Sequence, residues 1–318
     1  MKKKLLSLLM AGTMLATMMA GCGSTTETAT TETTSETTTE STTETTEETT
    51  ADAGEETRVL KLGIECTYAP YNWTQQTPEL PDGSTAVKIA NADGYAYGYD
   101  VALCQMICEE LGWELEVYKS DWTSIFMGLE DGTYDCIMSG VCYTEERDEI
   151  YDFTSAYYER TIMAVVREDS EYAGITGLSQ FDGMNPNVIA QLGTNFVLYK
   201  DQIPSGIDAV DYEAASELFL AIQNQTADVL ITERSTAESA LATMPGLIML
   251  ELDSDDCFIA PEGQSNSCCI LFRGDDPECA EIQAALDSMG WTSSTPEGQA
   301  AMDELMSKMI AMQPATAE

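Results

Sequence analysis

The sequence predicts an α/β protein. Short runs typical of β-strands, such as 59–64 and 228–231, alternate with segments whose apolar residues recur at helical spacing, such as 101–111. Turns that contain Gly, Pro, Asn or Asp separate these runs. The alternation favours largely parallel sheets covered by helices, and 318 residues suffice for about two domains of ~150 residues each.

The elements follow one another along the chain. After the first strand, residues 69–98 form a turn-rich stretch that contains Pro70, Pro78, Pro81 and two Asp-Gly pairs. Further strands are predicted from short apolar or alternating runs at 114–118, 135–138, 161–166, 187–190, 228–231, 247–252 and 268–272. Helices are predicted from apolar spacing and end signals at 101–111, 122–129, 144–150, 214–223, 235–243, 277–289 and 296–312, with one more that begins after 193–195.

The composition excludes several classes of function. The chain carries 14 Lys and Arg against 55 Asp and Glu, a net charge of −41, so a phosphate backbone would repel it and nucleic acid is not an expected partner. It contains no histidine, which excludes Ser-His-Asp and Cys-His catalysis and the usual imidazole metal sites. The cysteines show no paired CxxC spacing and there is no Cys/His set, so we expect no metal.

Residues 1–22 are typical of a targeting segment. Three lysines at 2–4 precede an apolar stretch from Leu5 to Ala20, which is shorter than the ~20 residues that a membrane span requires. The segment ends in Met-Ala-Gly-Cys22, which resembles a bacterial lipoprotein signal, whose cysteine is lipidated and becomes the new N-terminus. An ordinary signal peptide cut near the same place is the alternative.

Residues 23–57 are a Thr/Glu-rich, low-complexity stretch with almost no apolar residues. Such a stretch cannot bury enough surface to offset its ordering entropy, so we predict a disordered tether. A lipid on Cys22 followed by a tether predicts a globular body held near the cell membrane on its extracytoplasmic side. We expect no second span, because no later stretch approaches the required apolar length.

Four motifs follow one another in the body. They are GIECTYAPY at 63–71, GYD at 98–100 with the helix after it, DCIMSGVCYTEER at 135–147 and DFTSAYY at 152–158. In this order and with this spacing, they resemble family 3 of the bacterial extracellular solute-binding proteins, the amino-acid receptors of ABC importers. The resemblance covers nearly all of the body.

The resemblance implies a periplasmic-binding-protein-like fold of type II, with two α/β lobes joined by a two-strand hinge. The first lobe is expected at 58–160 plus 265–318 and the second at 161–264. It further implies a monomer without a cofactor that captures a free amino acid, and that docks on a membrane permease coupled to an ATPase.

A buried amino acid must have both of its charges neutralised. In the family, the arginine at the position of Arg147 clamps the carboxylate, which suits a bidentate guanidinium. Thr194 and Asn195 stand where the second lobe adds carboxylate contacts, at a helix start whose N–H groups favour an anion. Both residue types also serve as plain N-caps.

The resemblance also assigns the ammonium group. Ser139 and Gly140 are its expected partners in the first lobe, and Glu233 takes the place of the usual aspartate, with one methylene more. Cys142 stands where many members have serine, so its backbone N–H remains but the hydroxyl is lost.

The side chain of the ligand is expected among Glu65, Tyr68, Tyr71 and Trp122. In the family, the positions of Tyr68 and Trp122 sandwich the ligand, and an acidic residue at the position of Glu65 occurs in receptors for basic amino acids. An aromatic face beside a carboxylate suits a cation. We therefore expect Arg, Lys or ornithine first and a neutral polar amino acid next, with cystine as a further candidate.

Two other classes of function stay open. Some relatives with this fold are dehydratases of cyclic acids, for which Glu65 is the one candidate acid or base here, and others are sensory receptors. We expect a receptor rather than an enzyme, because an amino-acid clamp leaves no spare acid/base pair. Among the nine cysteines after Cys22, bridges of Cys66 with Cys136 and of Cys257 with Cys268 or Cys269 are conceivable.

Overall fold

The structure is a computed structural model that describes residues 57–314. The predicted signal peptide, Cys22 and the tether as far as residue 56 lie outside the described residues. The strands in chain order are β1 (Val59–Ile64), β2 (Thr67–Tyr68), β3 (Asn72–Gln75), β4 (Val87–Lys88), β5 (Tyr95–Tyr97), β6 (Glu114–Lys119), β7 (Cys136–Ile137), β8 (Cys142–Thr144), β9 (Tyr151–Glu159), β10 (Ile162–Arg167), β11 (Asn187–Ile189), β12 (Ile207–Asp208), β13 (Val229–Glu233), β14 (Leu247–Met249) and β15 (Gln264–Arg273).

The helices lie where the apolar spacing predicts them. In chain order they are α1 (Tyr99–Leu111), α2 (Trp122–Glu130), α3 (Glu145–Asp148), α4 (Ala215–Gln223), α5 (Arg234–Leu241), α6 (Pro277–Ser288) and α7 (Pro296–Met312). The helix predicted after 193–195 is a 3-10 helix over Asn195–Gln202, and a second 3-10 helix spans Leu178–Phe181. No helix within 57–314 is both long enough and apolar enough to cross a membrane.

The first sheet has the strand order β6–β1–β7–β15–β8, and β9 pairs with β15 as well. β1 is parallel to β6 and β7, whereas β15 is antiparallel to β7, β8 and β9. Helices α1, α6 and α7 cover one face and α2 the other, and apolar clusters fill both layers. The three large apolar side chains of β1, Leu60, Leu62 and Ile64, are therefore buried.

The second sheet has the order β12–β11–β13–β10–β14. β10 is antiparallel to β13 and β14, and β11 is parallel to β12 and β13. All residues of β13 are buried, because one cluster with the 3-10 helix and another with α4 and α5 cover the two faces. The α/β prediction is confirmed.

The prediction of largely parallel sheets is wrong, since both sheets are mixed. The chain leaves the first sheet with β9, enters the second with β10 and returns with β15. Outgoing β9 and returning β15 lie side by side over almost their whole length and run in opposite directions. A local sequence pattern cannot predict pairing between strands that are about a hundred residues apart in the chain.

The stretch 69–98 is more ordered than its turn residues predict. β2 to β5 form a small antiparallel sheet of order β2–β3–β5–β4. Trp73 and Tyr97 are directly opposite on β3 and β5, and their rings pack edge to face at 5.9 Å. Such aromatic cross-strand pairs stabilise a short sheet. The local sequence alone predicts a loop there.

Candidate functional site

The carboxyl ends of strands from both sheets face one cavity. Glu65 follows β1, Ser139 and Gly140 follow β7, and Gln191 follows β11. Ligands of open α/β sheets bind at this end of the strands. The cavity is small in this structure, about 10 Å³, which is room for about one water molecule and far below the roughly 300–1,000 Å³ of ligand sites. Its lining is Glu65, Tyr68, Trp122, Ser139, Gly140, Cys142, Arg147, Arg160, Gln191, Thr194, Asn195 and Phe196.

Glu65 forms the acidic part of the cavity. Its side chain is buried, and its Oε1 accepts a hydrogen bond of 3.3 Å from Gln191 Nε2. Burial raises the pKa of this carboxyl to about 8, and the negative charges of Asp100 and Glu213 add to the rise. The carboxyl is therefore mostly protonated at neutral pH and becomes a carboxylate when a cation approaches it.

Arg147 is half-buried and lines the cavity together with the start of the 3-10 helix, Thr194 and Asn195. Thr144 caps α3 by accepting a hydrogen bond from the Arg147 backbone N–H, and Arg147 Nη1 donates to the Cys142 carbonyl at 2.9 Å. The guanidinium lies 5.8 Å from the Trp122 ring centroid and 5.0 Å from that of Phe126. Burial lowers its pKa, yet an arginine remains charged at any physiological pH.

Ser139 and Gly140 are held by a buried polar network. Asn72 Nδ2 donates to Asp100 Oδ2 and Ser139 Oγ, and Tyr157 donates to Asp100 Oδ1 while it accepts from the Gly140 N–H at 3.0 Å. Gly140 has φ of 61°, and a Cβ there would lie 3.0 Å from the Tyr68 ring. The residue must therefore be glycine for the ring of Tyr68 to form the cavity wall.

Thr194 and Asn195 begin the 3-10 helix on the opposite side. The Thr194 hydroxyl accepts from the Phe196 N–H and donates to the Gln191 carbonyl. The Asn195 amide accepts from Arg160 Nη2 at 3.0 Å and donates to the Ser265 carbonyl. Both residues line the cavity. The Thr194 side chain already caps the 3-10 helix, and the Asn195 side chain already holds Arg160 by a hydrogen bond.

The remaining two predicted residues, Tyr71 and Glu233, are not among the residues that line this cavity. Tyr71 is fully buried behind Tyr68, with the two rings stacked at 5.0 Å, because the Ala-Pro turn directs it into the core. Glu233 is also fully buried, and its carboxylate caps α5 by accepting from the backbone N–H groups of Ser235 and Thr236.

Residues 60–311 match the family model described as bacterial extracellular solute-binding proteins, family 3. The chain belongs to this family. Its resemblance to family 3, inferred from the four motifs, is thereby confirmed.

Several curated relatives of this chain are named as amino-acid-binding proteins. The arginine-binding extracellular protein ArtP of Bacillus subtilis is 27% identical over 247 residues, which cover 75% of this chain and 84% of that protein. The L-arginine-binding protein of Pseudomonas aeruginosa is 20% identical over 72% of this chain and 82% of its own length. The L-cystine-binding protein TcyJ of Escherichia coli is 24% identical over 58% of this chain and 62% of its own length.

Solved structures confirm the type II binding-protein fold. An amino-acid ABC transporter substrate-binding protein from Streptococcus pneumoniae, bound to L-arginine, superposes with a TM-score of 0.62 at 20% identity. The match covers 80% of this chain and 95% of that one. At this identity the likeness establishes the fold alone.

Sequence reasoning missed three lining residues of this family 3 site, namely Arg160, Gln191 and Phe196. Arg160 follows the DFTSAYY motif by two residues and lies between β9 and β10. A charged residue at the junction of two buried strands was the available signal. Gln191 carries a similar signal, because it is a polar residue directly after the buried run of β11.

The cysteines of the described residues are free thiols, so the conceivable bridges of Cys66 and of Cys257 are absent there. Cys268 lies beside Cys142 instead, on the neighbouring strand, with 3.9 Å between the sulfur atoms. Within 57–314, no group of His, Cys, Asp or Glu side chains is arranged to hold a metal ion.

Proposed function

We propose that this family 3 protein is the substrate-binding lipoprotein of an ABC importer and captures a free amino acid. The observation that carries the proposal is Arg147, which lines the cavity and has no carboxylate within 4.0 Å among the described residues. A cation in that position is complementary to the carboxylate that every amino acid carries.

A basic side chain suits the other part of the cavity best. Glu65 supplies an ionisable carboxyl, and Tyr68 and Trp122 supply aromatic walls that favour a cation. ArtP of Bacillus subtilis is named for arginine, which supports the same preference. A neutral polar amino acid is the second choice, because the protonated Glu65 and Gln191 can also hydrogen-bond to an uncharged polar group.

The ammonium group requires acceptors in the middle of the cavity. The Gly140 carbonyl and the Ser139 hydroxyl are the proposed direct partners, and Cys142 contributes backbone groups. Glu233 acts through its charge rather than by contact, because its oxygen atoms already accept hydrogen bonds from α5. Thr194 and Asn195 complete the carboxylate side.

We also propose a role for each part of the chain. Cys22 anchors the mature protein to the membrane, residues 23–57 are the tether, and the monomeric body delivers its ligand to a permease and its ATPase. The lobes are 58–160 plus 265–318 and 161–264, which agrees with the strands that each sheet contains. Closure between lobes would then be favoured by contacts that the ligand makes in the closed state only.

The test is thermal unfolding of the purified protein, freed of co-purified ligand, against each common L-amino acid, ornithine and cystine. A ligand in thousandfold excess over its Kd adds about 4 kcal/mol of stability. A shift with Arg, Lys or ornithine alone supports the full proposal. A shift with a neutral amino acid alone retains the receptor and discards the basic preference. No shift with any amino acid contradicts the receptor and favours the same-fold enzyme.

A further inference from the structure

Arg160 is a buried cation inside the binding cavity. It follows β9 and precedes β10, so it lies where the chain crosses from the first sheet to the second. The residue is only 7% exposed, and it lines the same cavity as Arg147.

The direct contacts of Arg160 include no carboxylate, and the buried Glu233 interacts with it only through its charge. Nη2 donates to the Asn195 amide oxygen at 3.0 Å, and Nη1 donates a long bond of 3.4 Å to the Gly140 carbonyl. The guanidinium carbon lies 4.6 Å from the Phe196 ring centroid. The buried Nε has no hydrogen-bond partner.

The two cavity arginines differ from the others in one respect. Among the described residues, all the arginines outside the cavity have a carboxylate oxygen within 4.0 Å, namely Arg58, Arg167, Arg234 and Arg273. Arg147 and Arg160 have none. Since an unpaired buried charge is costly, two like charges lining one small cavity indicate that a bound anion completes the site.

The position of Arg160 indicates which part of the ligand it meets. Its shorter hydrogen bond, 3.0 Å from Nη2, goes to Asn195, which with Thr194 forms the proposed carboxylate side, and Arg147 lines the same cavity. Arg160 therefore belongs with the carboxylate contacts and not with the contacts to a ligand side chain.

We propose that Arg160 is a second carboxylate-binding residue, so that the α-carboxylate of the ligand bridges Arg147 and Arg160. A carboxylate has about four lone-pair sites and can accept from two guanidinium groups at once. The inference rests on the proposed function, and it restricts the ligands to compounds with a free α-carboxylate. In some compounds that group is an amide or lies in a peptide bond. A site with two arginines rejects these compounds more strongly than a site with one arginine would.

The test compares an amino acid with its α-amide in two proteins. Calorimetry measures the affinity of wild type and of Arg160→Gln for the amino acid that wild type binds and for its α-amide, which are L-arginine and L-argininamide for the favoured ligand. We expect Arg160→Gln to weaken binding of the acid about 10- to 100-fold, because a charged hydrogen bond is lost. Binding of the amide should change by less than about threefold. Arg167→Gln, which removes an arginine paired with Asp169, is the matched control.

Thermal unfolding without ligand separates binding from a structural role. If Arg160 has no counterion until a ligand binds, Arg160→Gln unfolds at the same or a higher temperature than wild type, since an unpaired charge is removed. A lower unfolding temperature together with equal losses for acid and amide would show a structural brace and overturn the inference. Unchanged affinity for the acid would overturn it as well. If wild type binds no amino acid at all, the proposed function fails together with it.

Discussion

Gln191 donates a hydrogen bond of 3.3 Å to Glu65 and thereby joins the two sheets across the cavity. The same amide donates to the Glu213 carbonyl at 2.9 Å, so its orientation is held by the second sheet's side. The side chain proposed to select the ligand is thus positioned by a residue 126 positions away in the chain. The protonation of Glu65 and the contact between the sheets are consequently coupled.

The affinity for a basic amino acid should rise between about pH 6 and pH 8. Burial raises the pKa of Glu65 to about 8, so a cationic ligand must drive off the proton, and binding near pH 7 releases it. Calorimetry in buffers of different ionisation enthalpy measures this proton release. Glu65→Gln should abolish both the release and the pH dependence, whereas Glu109→Gln on the exposed face of α1 should retain them.

The stability of the ligand-free protein should change in the opposite sense. Glu65 binds its proton more tightly in the folded state than in the unfolded state, where its pKa is about 4.5. Its contribution is therefore fully present below that pH and is lost as the pH rises towards 8. Denaturant unfolding at pH 5 and pH 8 measures the difference, which should be smaller in Glu65→Gln. An equal difference in both proteins would contradict the role assigned to this carboxyl.

Arg147→Gln should weaken binding of the amino acid by at least about 100-fold, because a bidentate charged pair is lost and the desolvated carboxylate is left without it. Titration calorimetry provides the measurement. Arg234→Gln, which removes an exposed arginine paired with Glu251, is the control and should leave the affinity unchanged. An affinity of Arg147→Gln within twofold of wild type would exclude the clamp.

The rim of the cavity should control how fast the ligand leaves. Glu213 Oε1 accepts from the Thr123 hydroxyl at 2.6 Å and from its N–H at 3.3 Å, and this contact joins α2 to the segment before α4. Glu213→Ala removes both hydrogen bonds and should speed dissociation by about fivefold, which corresponds to about 1 kcal/mol, with little change in association. Stopped-flow fluorescence measures both rates. Thr123→Ala should add little to Glu213→Ala, and fully additive effects would show that the pair does not act as one contact.

Cys22→Ser should move the protein from the membrane fraction to the soluble fraction of cells, because the serine cannot carry the thioether-linked lipid. Fractionation with and without detergent measures the change. Cys257→Ser, at a half-exposed thiol of the body, is the control and should remain with the membrane. A Cys22→Ser variant that still requires detergent for release would contradict the lipoprotein proposal.

Several parts of the site were predictable because they lie within short motifs. SGVC and the arginine five residues later place Ser139, Gly140, Cys142 and Arg147 around a single strand end and the turn of helix after it. The hydrogen bond from Arg147 to the Cys142 carbonyl is a contact between such near neighbours. Local sequence specifies contacts of this kind, since the intervening backbone has few alternatives.

The orientations of Tyr71 and Glu233 could not be predicted from the local sequence. Both were predicted to touch the ligand, yet one stacks behind Tyr68 and the other caps its own helix. Arg160 was not predicted, although it lines the cavity. Whether a side chain faces the cavity or the core depends on the elements packed against it, and these come from distant parts of the chain.

The sequence alone determined the α/β class, most of the strands and helices and the family, and it pointed to Arg147 as the proposed carboxylate clamp. All of these depend on apolar spacing and short motifs. The tertiary structure decided the mixed direction of the sheets, the pairing of Gln191 with Glu65 and the meeting of Arg147 with Arg160 in one cavity. The physical reason is that burial and charge pairing arise only when β9 and β15 align and bring strand ends from both sheets together.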